Sequence, residues 1–366
     1  MKLFSHVKNW YIRYERSISS ISLVLGFIWN ALFLKRVDLF FENFWVVVHL
    51  VVIGGCIILI NRLEHTRMEA GKTEERSKFH FWLVTILQFT FGGLLSTFLV
   101  FYFRSTDLLV TWPFLLILCS AFIANERLKK HYDTLVFQIL VFYLALFSFT
   151  IFFVPVLVNQ IGTGVFLLSG AASLVLIWLF LMVLRKIARI RFNESKGRLV
   201  LFLGIMFIGI NVLYFSNLIP PIPLSLKDAG VYYSISKNNQ GQYVVTGEPK
   251  DWRDYFSLAP TISLAGNQPL YVYTAIFSPT DFRVDIIHQW QYYDETARKW
   301  VTESTVPLVA IGGRDNGYRT YSLKNTVVPG KWRVNIKTAQ GQTLGRLRFN
   351  VATIDTPIQM ITENKG

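Results

Sequence analysis

The chain has 366 residues, of which 52% are hydrophobic, 16% aromatic and only 16% charged. With a mean hydropathy of +0.38, that composition excludes a single soluble domain, and two cysteines exclude a disulfide scaffold. The formal net charge of +14 would suit nucleic acid in a soluble protein. Its distribution excludes that partner, because 21 of the 37 Lys and Arg lie in residues 1–215, between apolar segments.

Residues 1–16 form a basic leader with Lys2, Lys8, Arg13 and Arg16 among Trp10, Tyr11 and Tyr14, which suits the lipid headgroup region. Seven apolar stretches follow, near 17–34, 44–60, 81–103, 108–124, 134–157, 162–184 and 199–216. Most reach the ~17–25 residues that cross a bilayer. The first lacks a small-residue cleavage site and reads as an anchor. The leader and the connections 61–80, 125–133 and 185–198 carry 18 Lys and Arg, and the opposite connections carry 3. Basic residues collect on the cytoplasmic side. The expected topology therefore has the N-terminus in the cytoplasm of an inner (plasma) membrane protein and everything after residue 216 outside, in the periplasm. Seven spans give the same answer by parity.

Within the spans, His49 is the one ionisable side chain, and Arg104 and Asp107 stand at a span end. Intramembrane charges mark relays and pumps, but a single His among aliphatics reads as a helix-to-helix hydrogen-bonding group. Asn30, Gln88, Gln138 and Asn211 read the same way. Gly54-Gly55 and Gly92-Gly93 allow close helix approach, Pro113 and Pro155 kink or end helices, and Cys56 and Cys119 read as small buried residues.

Residues 217–229, with Pro220, Pro221 and Pro223, stop the last helix and form a stiff linker. From 230 to 354 the period changes to two, giving about eight short strands separated by Gly, Pro and Asn turns. The expected fold is thus a seven-helix membrane bundle (17–216) followed by an all-β sandwich of immunoglobulin-like type, with 355–366 as a tail. Trp332, Val334 and Ile336 alternate with Arg333 and Lys337, and Leu347, Phe349 and Val351 alternate with Arg346 and Arg348. One face of that hairpin should be apolar and the other basic. Val284, Ile286, His288, Trp290 and Tyr292 share the core face of their strand.

Four stretches in order carry a resemblance: Ile287–Tyr293, Gly313–Lys324, Pro329–Val334 and Gly341–Gly345. Over roughly 217–352 the chain resembles the bacterial domain of unknown function 2914. The resemblance implies a bacterial envelope protein and brings no activity with it.

No arrangement of catalytic type emerges. Ser322, His288 and Asp315 lack a nucleophile elbow, Asp281 and Asp285 lack the His and carboxylate neighbours of a metal site, and Gly312–Gly317 reads as a turn. No metal and no cofactor are expected. Arg314, Tyr318, Arg319, Tyr321 and Lys324, with Arg333, Arg346 and Arg348 on the hairpin, mix cations with rings and are the candidate ligand-binding residues. The leading reading is a non-catalytic envelope protein. Its bilayer-anchored sandwich would bind an envelope glycan, an anionic lipid or a protein partner. The alternative is a membrane enzyme or transporter for a lipid or lipid-linked substrate, with the sandwich as accessory. A sensor would need a partner to supply its output.

Overall fold

A long apolar segment in hydrocarbon must satisfy its own backbone, and the α-helix does so within one segment. In a computed structural model the described residues are 27–28, 40–70, 78–104, 108–127, 134–219, 223–249, 257, 259–266, 268–279, 282–312, 316–354 and 359–365. They contain six helices of this kind: α1 (Phe40–Glu69), α2 (Lys78–Arg104), α3 (Leu108–Arg127), α4 (Leu135–Val158), α5 (Thr163–Ile187) and α6 (Arg189–Phe215). All but α3 are long and apolar enough over their described residues to cross a membrane. Seven spans were expected. The first, 17–34, lies outside the described residues apart from the helical Phe27 and Ile28.

The helical unit centres on α4, whose Phe142, Tyr143, Phe147 and Phe152 are buried. Small residues set the helix spacing: a methyl group on Gly54 would lie 3.3 Å from the Phe180 ring, and one on Gly170 would lie 3.4 Å from the Phe207 ring. Gln138 meets α1, where the Asn61 amide donates to its carbonyl oxygen at 2.7 Å. Asn211 instead donates to Phe207 O of its own helix. His49 also turns to its own helix, its Nδ1 lying 2.8 Å from Trp45 O, while Gly93 leaves room for its Nε2. The outward faces are strongly apolar, with Phe89 79% and Val200 67% exposed. A surface of that kind is unfavourable in water and suits lipid.

Two basic connections differ from expectation. The run 185–198 is helical except for Ala188, which alone separates α5 from α6. The connection 61–80 is likewise shortened, because α1 continues to Glu69. Arg, Lys, Glu and Ala are strong helix formers. Their long stems let the charged heads reach the interface while the backbone stays helical.

From Pro220 the chain forms a second compact unit. Its strands are β1 (Ser225–Tyr232), β2 (Ser234–Lys237), β3 (Tyr243–Gly247), β4 (Thr261–Leu264), β5 (Leu270–Phe277), β6 (Arg283–Asp294), β7 (Lys299–Ile311), β8 (Tyr318–Lys324), β9 (Gly330–Thr338), β10 (Thr343–Thr353) and β11 (Ile361–Lys365). A sheet of order β4-β10-β9-β6-β7 and one of order β1-β5-β8 form two layers. Their shared core holds Trp290, Trp332, Val334 and Phe349 from the first sheet and Leu270 and Val272 from the second. A third sheet, β11-β3-β2, places Val245 against Tyr273 and Ala275 of β5. This explains why β5 is buried along nearly its whole length: it has a layer on each face. Strands β1, β4 and β11 reach into segments where no strand was expected, Ser225 lying within 217–229 and Ile361 within 355–366.

Two close approaches require glycine. A methyl group on Gly312 would stand 1.6 Å from the Pro279 carbonyl oxygen, and one on Gly317 (φ +85°) 2.9 Å from the Ile276 backbone. Both residues lie between β7 and β8.

Candidate functional site

The basic face forms because β9 and β10 pair antiparallel with Arg348 opposite Arg333 and Arg346 opposite Asn335. Directly opposed residues share a face. The alternation that buries Trp332, Val334, Ile336 and Phe349 therefore turns Arg333, Lys337, Arg346 and Arg348 to the other side. On β9's other edge, β6 sets Gln291 opposite Arg333 and Gln289 opposite Asn335.

Amides hold the cations in place. Arg333 Nε donates to Gln291 Oε1 at 2.7 Å, and Asn335 Nδ2 donates to the same oxygen at 2.9 Å. Arg346 Nε donates to Asn335 Oδ1 at 2.6 Å. Gln291 Nε2 in turn donates to Thr302 Oγ1 of β7 at 2.9 Å. The Arg333 guanidinium lies over the Trp300 ring, 4.3 Å from its centroid. Arg333 and Arg346 are thus oriented through Nε, and Arg333 also through a ring face; the terminal N–H groups of an arginine are the ones that a planar anion accepts in pairs. Arg348 Nε is buried and has no hydrogen-bond partner among the described residues.

The electrostatics of this face point one way. Burial and then the neighbouring Arg346 and Arg348 pull the Arg333 pKa down to about 10. Lys337 is lowered by burial, then by Arg346 and Arg333. Like charges are held together at a half-buried surface, each disfavouring its neighbour's proton. A bound anion relieves that repulsion.

The β8 candidates do not gather into one site. Strand alternation separates them. Tyr318 packs against the inner core, and Lys324 lies inward too, 5.8 Å from the Trp332 ring centroid and 3.8 Å from a Glu303 carboxylate oxygen. Arg319 and Tyr321 take the opposite face. There Tyr243 OH donates to Arg319 O at 3.4 Å, and the Tyr243 and Tyr321 rings meet at 6.1 Å. Arg314 lies outside the described residues, as do Asp281, Asp315 and Asp107. The β8 residues and the hairpin arginines therefore stand on different sheets.

His288 and Ser322 do meet, but in the core. His288 Nδ1 is 2.9 Å from Ser322 Oγ, His288 Nε2 is 3.1 Å from Thr274 Oγ1, and Trp290 Nε1 donates to Ser322 Oγ at 3.0 Å. His288 and Trp290 are 0% and Ser322 2% exposed. No substrate reaches that depth. The group is a polar crossbar joining the two main sheets. Among the described residues there is no cluster of three or more His, Cys, Asp or Glu arranged to hold a metal.

Sequence reasoning missed the amide ladder of Gln289, Gln291, Asn335 and Thr302. The available signal was Gln289 and Gln291 alternating with the core residues His288 and Trp290.

Among curated proteins no relative matches this chain. Solved structures with similarity include an immunoglobulin-like protein of Pseudomonas aeruginosa, 9% identical, covering 36% of this chain and 97% of that one at a TM-score of 0.20. A β-glucosidase of Listeria innocua is 10% identical, covering 36% of this chain and 18% of that one at a TM-score of 0.19. An alkylpurine DNA glycosylase of Pseudomonas fluorescens is 8% identical, covering 85% and 99% at a TM-score of 0.23. Similarity at this level carries no argument about fold or activity. Residues 284–351, from within β6 to within β10, match the family model described as Protein of unknown function (DUF2914), which places a DUF2914 domain in the C-terminal region of this chain.

Proposed function

We propose that the chain is a membrane-anchored, non-catalytic binding protein of the bacterial cell envelope. Its β unit is read as an immunoglobulin-like sandwich that presents the Arg333, Lys337, Arg346 and Arg348 face to an anionic envelope component. One observation carries the reading: the charges acting on Arg333 are those of two further cations, Arg346 and Arg348. A face kept for solubility alone would intersperse both signs. Around Arg333 this one gathers one sign, with the carboxylates of Asp285 and Glu295 farther off along the strands, and holds it with hydrogen-bonded amides. It is a broad sheet surface rather than a cleft, which suits an extended array of phosphates or carboxylates.

The test uses the full chain in neutral-lipid nanodiscs, titrated with vesicles of phosphatidylglycerol or of phosphatidylcholine and with an acidic polysaccharide. Saturable binding to an anionic probe is expected, weakening as salt rises. Reversing two charges, Arg333→Glu with Arg348→Glu, should weaken it at least tenfold, about 1.4 kcal/mol. Equal binding by parent and double variant removes this face from the function. Binding to none of the probes shifts the reading to a protein partner.

We further propose an inner-membrane location with the β unit on the periplasmic side. The support is the uneven distribution of Lys and Arg between the two sets of connections. Protease added to intact spheroplasts should then remove the β unit, and protease added to inside-out vesicles should leave it intact. The opposite pattern refutes the orientation.

A further inference from the structure

The third sheet leaves a pocket of about 480 Å³ beside the outer face of β5. Its walls come from four strands: Lys227 and Asp228 of β1, Tyr273 of β5, Arg319 of β8, and Asn364 and Lys365 of β11. None of these residues belongs to the basic hairpin face. β11 contributes two of them, although its sequence, Ile-Thr-Glu-Asn-Lys, has no strand-like alternation.

The groups in the pocket have distinct chemistry. Lys365 Nζ is 3.0 Å from Asp228 Oδ2 and 3.7 Å from Glu363 Oε2. Burial pulls the Lys365 pKa down, but the neighbouring Asp228 carboxylate and the Tyr232 phenol outweigh it and hold the ammonium charged. Tyr273 is 1% exposed, and burial first, then the charge of Asp228, pushes its phenol up to about 12 against the opposing effect of Arg319 and Lys365. It remains a neutral hydroxyl at any physiological pH, with the Arg319 side chain lining the same pocket. The lining thus holds three cations, one carboxylate, two amides (Asn316 and Asn364) and a phenol.

We propose that this pocket binds a small hydroxylated anion, a sugar ring bearing a carboxylate or a phosphate. Arg319 offers a planar fork to the anionic group, and the buried Tyr273 phenol backs that fork from within the sheet. Asp228 accepts hydrogen bonds from ring hydroxyls, and the Asn364 amide both donates and accepts. Lys227 and Lys365 leave the lining net positive, which favours an anion over a neutral sugar. The volume falls in the usual range for small-molecule sites, roughly 300–1,000 Å³. A bare inorganic ion would leave the hydroxyl-binding groups unused. This site is independent of the basic face and of the reading built on it.

Calorimetric titration of the full chain in neutral-lipid nanodiscs with glucuronate, glucose 6-phosphate and inorganic phosphate tests the proposal. Saturable binding of one of the two sugar anions is expected, at least tenfold tighter than inorganic phosphate. Which of the two binds tells a carboxylate from a phosphate preference. Arg319→Ala should weaken binding at least tenfold, and Asp228→Asn should weaken it by a smaller factor. Arg333→Glu with Arg348→Glu should leave it unchanged. If Arg319→Ala does not fold, Arg319→Lys keeps the charge and removes the fork, and a loss of several-fold is then expected. No binding up to ~10 mM, phosphate binding as tightly as the sugar anions, or unchanged binding in the folded Arg319 variant overturns the proposal.

Discussion

Trp290→Ala is expected to leave the β unit unfolded or close to it. The side chain is fully buried and is among the largest in the core. Its ring meets Trp332 at 6.5 Å and Phe349 at 6.3 Å, both edge-on. Truncating a buried Trp to Ala costs about 3–5 kcal/mol, and edge-to-face partners raise the loss. The change also removes the N–H that Ser322 Oγ accepts at the centre of the crossbar. Set against a whole-domain stability of about 5–15 kcal/mol, a loss of that size is decisive. Pulse proteolysis of the full chain in urea, reading the β-unit fragment, checks it. The helical unit is compact by itself, so its fragments should persist. A parent-like midpoint for the β unit would mean that the core described for Trp290 is wrong.

Acid should weaken the same unit through one residue. Burial lowers the His288 pKa from 6.5 to about 4. In the unfolded chain the imidazole takes up a proton near 6.5, while in the folded chain it stays neutral until about 4. The unfolded state therefore binds more protons between these values, and stability falls as pH falls through that window. At about 1.4 kcal/mol per pH unit the loss by pH 4 is about 3 kcal/mol. Above 6.5 the residue has no effect on the slope. His288→Gln should flatten this part of the pH profile, even if it lowers stability throughout. Urea midpoints of parent and variant at pH 7 and pH 4.5 give the comparison. Identical pH slopes would show that His288 is not the group responsible.

How much of this was legible in the sequence depends on whether the information was local. The basic hairpin face was legible because the alternation of Trp332, Val334 and Ile336 with Arg333 and Lys337 resumes across one turn. A hairpin has a single sensible register, so the cations had to share a side. The core face of β6 was legible by the same rule. The amide ladder was not, because β6 lies beside β9 only after β7 and β8 have intervened. No local pattern says that Gln291 will meet Arg333. The β8 candidates show the opposite error. Tyr318, Arg319, Tyr321 and Lys324 are close in sequence, and the period of two sends them to opposite faces. β11 is mostly polar and owes its strand form to pairing with β3, so tertiary context decided it. Among the helices, apolar stretches were clear, but the basic run 185–198 read as a connection because the apolar stretches stop at 184 and resume at 199. Its residues favour helix on propensity alone.

The crossbar has a mechanical consequence. His288 and Trp290 belong to one layer and Thr274 and Ser322 to the other, and their bonds are short and directional. Slippage of one layer over the other by one pleat repeat, about 6.8 Å, would break every one of them. It would strand a fully buried imidazole with neither nitrogen satisfied, and such groups cost on the order of 1–3 kcal/mol each. The two layers are therefore latched against shear. Tension arriving through β1 and resisted at β9 and β10 would be carried across the middle of the domain as through a riveted plate.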